Sequence, residues 1–270
     1  FVCLFIAPNM TWLRDFEHLK THGKLPGKSQ LPDLVARRLR WEIFSEYGFS
    51  ARIGRTLEKS GGSVLALDKE NFNSIAEQIS EIAGNELEPL RNIKSDNLSA
   101  LILGLMTNIR QMGGVYHPDL EAYIKSWGNT YQLSQRWMRW MPSFGPTTRA
   151  PGFITSRPDV DRFPQLLSRQ KSSTWYEWWA SRFFPQLAMP HVNLVDNFFD
   201  IVLKQLEHAG IIENRWQGGH YIWGLNPGAL KIRADVIQYR CDQCGHIISG
   251  AAEDSDVWTQ MPCLRRNCLG

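Results

Sequence analysis

Four of the five cysteines fall within the last thirty residues, as Cys241-Asp-Gln-Cys244-Gly and Cys263-Leu-Arg-Arg-Asn-Cys268. A CxxC turn followed by glycine aims two thiolates at one point while backbone N–H groups bond back to the sulfurs. With eighteen residues between the two pairs, the spacing is that of a zinc ribbon, in which four thiolates hold one Zn²⁺. The second knuckle is wider than CxxC. Four thiolates around Zn²⁺ leave a net double negative charge, which Arg265 and Arg266 are placed to offset, and His246 would substitute only if a cysteine failed. No open coordination position is implied, so a structural metal on Cys241, Cys244, Cys263 and Cys268 is expected, against the alternative of four unrelated buried cysteines. Cys3 is left over as a core residue. Clustered cysteines, unlike the dispersed ones of a disulfide-stapled secreted protein, point to a reducing compartment and hence the cytoplasm.

Other candidate chemistry falls away on spacing. Gly23-Lys-Leu-Pro-Gly27-Lys28-Ser29 is one residue short of a phosphate-binding loop, and it follows a helical run instead of a strand. There is no Gly-x-Ser-x-Gly elbow and no helicase Asp-Glu-Ala-Asp/His box, and the seven histidines stand mostly alone. Asp159 and Asp161 read as solvated loop residues. Aromatic and basic residues interleave from Trp127 through Tyr131 to Arg136, Trp137, Arg139 and Trp140. Such a stripe could stack on bases, although tryptophans at helical spacing more often build a core.

The elements that would position these residues follow from periodicity. A short helical run covers Trp12 to His22, and Leu31-Pro32-Asp33 opens a helix through Tyr47, ended by Gly48. Its apolar positions Leu34, Val35, Leu39, Ile43 and Phe44 suggest one buried face, with Arg37, Arg38 and Arg40 elsewhere. Ser63 to Leu67 reads as a strand, and three helices fill 69–140. Residues 141–158 hold four prolines and two glycines, the best linker in the chain. Ser173 to Leu187 is helical and aromatic-rich. Asn193 then caps a helix to about Ala209, stopped by Gly210. Ile211 to Glu213 and His220 to Leu225 pair as strands around Gly218-Gly219. Helix, helix, hairpin is the order of a winged-helix unit, which binds nucleic acid in many proteins and acts as a spacer in others. In such a unit the exposed face of the second helix carries Asp196, Asp200 and Glu207, so any contact with DNA is expected from Arg215, Gln217 and His220 on the wing, helped little by Lys204 and His208.

The composition is that of an ordinary soluble globular chain of 270 residues, 43% hydrophobic and 21% charged. It opens at Phe1, and it is expected to be a piece of a longer protein or a processed one. The apolar run Phe1 to Ala7 is too short to span a bilayer, and no membrane association is expected. Charge is unevenly spread: residues 1–60 carry ten Lys/Arg against six Asp/Glu, residues 61–130 five against nine, and residues 131–182 eight against three. Basic blocks flanking an acidic one suit a phosphate backbone over part of the surface, or equally solvated faces whose signs average out.

Leu31-Pro-Asp, Arg37-Arg-Leu-Arg-Trp-Glu42 and Glu46-Tyr-Gly48, followed by Arg52-Ile-Gly-Arg-Thr-Leu-Glu58, resemble a segment of very large bacterial superfamily 2 DEAD/DEAH-box helicases. These include the helicases of anti-phage systems such as Druantia and, more distantly, the large helicase-related group. Tyr221-Ile-Trp-Gly-Leu-Asn-Pro leading to a ribbon that ends Cys-Leu-Arg-Arg-Asn-Cys-Leu-Gly extends the likeness. The resemblance covers both ends and leaves 70–165 aside. It implies a region beyond the motor of an ATP-driven DNA translocase in phage defence or DNA repair, with ATP and Mg²⁺ held only by the motor domains of the parent chain. Arg37, Arg38, Arg52, Arg55, Arg215, Gln217 and His220 are then the candidate nucleic-acid contacts. For the four N-terminal arginines the alternative is pairing with Glu42, Glu46 or Glu58. The competing function is a zinc-stabilised protein-interaction scaffold without nucleic-acid contact. The expected architecture is α+β and predominantly helical: a helical domain over 1–140, a linker over 141–171, a winged-helix-like unit over 172–230 and a zinc ribbon over 231–270.

Overall fold

The computed structural model describes residues 10–48, 56–67, 69–133, 150–158, 162–168, 172–188, 193–268 and 270. In chain order the elements are α1 (Met10–His22), α2 (Leu31–Gly48), α3 (Thr56–Lys59), β1 (Val64–Leu67), α4 (Lys69–Glu86), α5 (Ser95–Gln111), α6 (Glu121–Lys125), β2 (Ile154–Thr155), α7 (Trp175–Phe183), α8 (Leu194–His208), β3 (Ile212–Gln217), β4 (His220–Leu225), β5 (Leu230–Arg233), β6 (Val236–Arg240), β7 (Ile247–Ala251) and α9 (Ser255–Gln260). Helix predominates at about 53%, and among the described residues the strands form three small antiparallel sheets, as the α+β reading expects.

Helix α5 is the axis of the core. Leu98 to Met106 are buried all round it, which is the pattern of a helix enclosed by neighbours. On α4, Phe72, Ile75, Ala76, Ile79 and Ala83 recur at helical spacing and are all buried. Helix α7 starts from a capping box: the Glu177 N–H donates to the Thr174 hydroxyl at 3.1 Å, and the Thr174 N–H donates to the Glu177 carboxylate at 2.5 Å. It delivers Trp179 onto Gly104 of α5, where even a methyl group would collide with the indole. The indole N–H there donates to the Leu101 carbonyl at 2.9 Å.

The three-stranded sheet has β4 in the middle, with β2 and β3 on either side. The predicted helix, Leu194–His208, and the hairpin around Gly218-Gly219 are both present, with Gln217 paired to His220 at the turn, but Asn193 at the N-cap position makes no side-chain capping hydrogen bond. Residues 150–158 and 162–168, inside the stretch read as linker, supply β2 and the buried Phe153, Ile154 and Phe163. Strand β1 pairs with β5, which lies far along the chain and crosses the boundary placed at 230/231. One cluster of buried apolar residues runs from Trp41 to Leu264, drawing on helices, hairpin and ribbon alike.

Two sequence readings change. Helix α2 buries Leu31, Arg38, Trp41 and Tyr47, while Leu39 and Ile43 are 47% and 42% exposed. The cause is Trp41, which packs against His117 at a ring distance of 5.1 Å and turns the helix so that Arg38 points inward. Of the three helices expected over 69–140, α4 and α5 are long, but the third is reduced among the described residues to the short α6 between 3₁₀ turns. His117 and Pro118 interrupt it: the His117 ring nitrogen Nδ1 accepts from the Asp119 N–H at 3.2 Å, capping a turn in place of a helix.

Candidate metal centre

Cys241 and Cys244 sit at the end of β6 and in the turn before β7. Gly245 takes a positive φ of 68° there, and its N–H donates to the Cys241 carbonyl at 2.8 Å. That left-handed step closes the knuckle, and only glycine adopts it without strain. The Cys241 N–H in turn bonds the His246 carbonyl at 2.8 Å. The second knuckle needs the same device in a longer loop. Asn267 supplies the positive φ, at 66°, and the Cys268 N–H donates to the Arg265 carbonyl at 3.1 Å. The Cys263 N–H reaches the Gly270 carbonyl at 2.7 Å.

All four sulfurs lie within 4.8 Å of one another, with Cys241 to Cys268 and Cys244 to Cys263 each 3.6 Å apart. A tetrahedral ion at a metal–sulfur distance of about 2.3 Å places its thiolates about 3.8 Å apart, so the donor set fits a four-thiolate metal. The two knuckles set their thiols differently. N–H groups of Cys244 and Gln243 hold the Cys241 thiol down to about 7, whereas burial pushes the Cys263 thiol up to about 12. A bound divalent cation deprotonates all four regardless, because its charge dominates the site. Cys263 and Cys268 are buried and Cys241 and Cys244 half-buried, the latter pair on the more accessible side of the cluster.

The ribbon docks on the helical core through its second knuckle. The Trp175 indole N–H donates to the Leu264 carbonyl at 3.0 Å, and the Arg266 guanidinium bonds the Ser173 carbonyl. Arg266 thus also ties the knuckle to the segment before α7, and both Arg265 and Arg266 remain exposed beside the cysteines. Trp258 of α9 presses onto Gly250 of β7 as Trp179 presses onto Gly104.

The predicted nucleic-acid residues are largely committed within the chain. The Arg37 Nε donates to the Asp119 carboxylate at 2.7 Å, and Arg38 is buried and paired with Glu42 at 2.5 Å. Arg52 and Arg55 lie outside the described residues, as do Asp159, Asp161 and the aromatic–basic run from 134 onward. Glu46 accepts the Leu57 N–H at 2.7 Å, and Glu58 forms a buried pair with Arg110. Arg215 lies over the Tyr116 ring, 4.5 Å from its centroid, and pairs with Glu213 at 3.0 Å and Glu121 at 3.6 Å. The Gln217 amide donates to the Lys125 carbonyl, and the His220 ring meets Trp127 edge-on at 6.4 Å. Lys204 on α8 is paired with Asp200 at 2.6 Å.

The reason is strand alternation. Arg215, Gln217 and His220 share one face of the hairpin, and the segment from Tyr116 to Trp127 covers it. The other face presents Trp216 and Tyr221, 61% and 41% exposed, with ring centroids 4.5 Å apart. The period-two pattern of β3 carries that signal: Arg215 and Gln217 alternate with Trp216.

Among the described residues, the four cysteines are the one His/Cys/Asp/Glu group placed to hold a metal, and no helix is long and apolar enough to cross a membrane. No family model, curated protein or solved structure matches this chain, so its site is read from its own geometry.

Proposed function

We propose that Cys241, Cys244, Cys263 and Cys268 bind one structural Zn²⁺, and that the chain is a non-catalytic, zinc-stabilised scaffold module. The observation that carries this reading is the convergence of four sulfurs within 4.8 Å on a ribbon docked into the common core. Zn²⁺ is preferred to iron because all four ligands are thiolates in closed knuckles, a structural-zinc donor set, although a lone iron accepts the same four. Elemental analysis of the purified protein should find one zinc per chain and no thiolate-to-iron absorbance in the visible. A coloured, iron-containing protein would reverse the assignment, and a metal-free, fully folded one would end it. The scaffold reading draws support from Arg37, Arg38 and Arg215, whose charges are spent on carboxylates of the same chain.

A second reading keeps the helicase-accessory role implied by the resemblance. It rests on the order β2, α7, α8, β3, β4 with β4 central in the sheet, which is the strand order of a winged-helix unit. On that reading the DNA contact moves from Arg215 to Trp216 and Tyr221, whose exposed rings can stack on unpaired bases. Forked DNA separates the two. Salt-sensitive binding that is lost in Trp216→Ala and kept in Arg215→Glu favours the accessory role. No binding at low salt leaves the scaffold.

A further inference from the structure

A cleft of about 800 Å³ opens on the side of the hairpin away from Trp216 and Tyr221, remote from the cysteines. Its apolar walls come from three elements: Ile43 on α2, Leu65 on β1 and Ile232 on β5. Leu65 and Ile232 are register partners, so one face of the β1–β5 ribbon forms the wall, while the opposite face buries Val64 and Ala66 with Ala251. Ile43 and Ile232 remain 42% and 51% exposed, and both line this one concavity. At the inner end Tyr116 is held by its hydroxyl on the Ile222 carbonyl at 2.8 Å, and Arg215 lies over its ring.

The charges in the cleft are unequal in kind. Arg215 is matched by two carboxylates, Glu121 and Glu213. Arg40, exposed at the mouth, has no carboxylate partner among the described residues. A ligand that satisfies this arrangement has a flat apolar body to extend the Tyr116–Arg215 stack and slide between Ile43 and Ile232. It has a single negative charge to meet Arg40. A dianion would face the surplus carboxylate beside Arg215, and a cation would be opposed by Arg40. The volume is that of a site for a drug-sized molecule, with Arg40, Glu121, Glu213 and Arg215 as the charged groups that orient it. We infer that this cleft is a binding site for a planar aromatic monoanion, anchored by Arg40 and enclosed by Ile43, Tyr116 and Ile232.

The probe is 8-anilinonaphthalene-1-sulfonate, with its uncharged relative N-phenyl-1-naphthylamine as control, titrated into the folded, metal-loaded protein. Saturable one-to-one binding of the anion is expected. Arg40→Ala should weaken the anion by about tenfold, the lower end of what a hydrogen bond to a charged group contributes, and leave the neutral relative unchanged. Ile232→Asp should weaken both probes. Both positions are exposed, and methyl resonances of Ile43 and Ile232 in the unaltered protein should shift with the anion, which tests the site without any variant. The inference is overturned by unsaturable binding, by unshifted Ile43 and Ile232 methyls, by an Arg40→Ala affinity equal to the parent's, or by adenosine monophosphate, a dianion, binding more tightly than the probe.

Discussion

The helical core and the C-terminal ribbon solve the same packing problem with different resources. Each seats a tryptophan on a glycine, Trp179 on Gly104 and Trp258 on Gly250. In the core that contact sits within a large apolar cluster drawn from α4, α5, α7 and α8, and the indole N–H has a carbonyl partner in Leu101. In the ribbon the apolar complement is small: Ile248, Ala251, Trp258 and Leu264 are its buried members, and the Trp258 N–H has no hydrogen-bond partner among the described residues. A unit with so little apolar burial of its own leans on the common core into which Ile248, Trp258 and Leu264 pack and, on the proposed reading, on a metal held by the four thiolates. The core has no such need.

The largest effect follows from that contrast. Replacing Cys244 by Ser, or stripping the metal with a chelator, removes a term that reaches about 10–16 kcal/mol in small zinc sites. The amides from Arg240 to Cys268 should then exchange freely with deuterium, while those of α5 keep their protection. Simultaneous loss of protection in α5 would break the comparison, since it would make core and ribbon one cooperative unit. The docking bonds from Trp175 and Arg266 are the route by which that would happen.

A smaller effect tests how the two regions are joined. Glu58 and Arg110 form a buried two-point pair, with Nη2–Oε1 at 3.0 Å and Nη1–Oε2 at 2.5 Å. Arg110 also donates to the Tyr47 carbonyl at 2.9 Å, and the Ser249 hydroxyl of β7 donates to the Glu58 carbonyl at 2.6 Å. The network ties α2, α3 and α5 to the ribbon strand. Arg110→Ala strands a buried carboxylate and should cost about 3–5 kcal/mol in chemical denaturation. Replacing Glu58 and Arg110 together by Gln and Met should recover much of that loss. A single-variant cost below about 1 kcal/mol would mean that water reaches Glu58 and that the junction is softer than its geometry indicates.

Legibility in the sequence divides along the same line. The cysteines, α8, the hairpin and β1 are set by local spacing, and each is where its residues imply. The partner of β1 is not local: Val64 to Leu67 is a good strand by composition, but nothing nearby names β5 as its neighbour. The buried face of α2 differs from its apolar pattern for a related reason. Leu39 and Ile43 are more apolar than Arg38, and the tertiary seat of the buried Trp41 against His117 makes the arginine side the inner one, while the Arg38–Glu42 pair is local, one helical turn apart. Arg215 shows the same limit, since its commitment to Glu121 and Tyr116 spans the chain.

The smallest effect concerns the wall between α2 and the 115–121 turn, and it is a function of pH. Burial holds the His117 imidazole down to about 4. A hydrogen bond with the Arg37 backbone opposes that shift, and the nearby charges of Arg37 and Arg40 add to it. The Asp119 carboxylate, 3.2 Å from Nδ1, is already engaged by Arg37. In the unfolded chain the same ring titrates at about 6.5, so between the two values the unfolded state binds the extra proton. The stability contributed by the neutral ring is complete above about 6.5, declines as pH falls through the window, and is gone below about 4. The difference of about 2.5 pK units corresponds to about 3 kcal/mol at most. His117→Asn keeps a side-chain acceptor for the Asp119 N–H and removes the titration. Its denaturation midpoint should therefore vary less with pH between about 6.5 and 4 than that of the parent. Parallel pH profiles for the two proteins would show that His117 is protonated in the folded state and that the turn tolerates its charge.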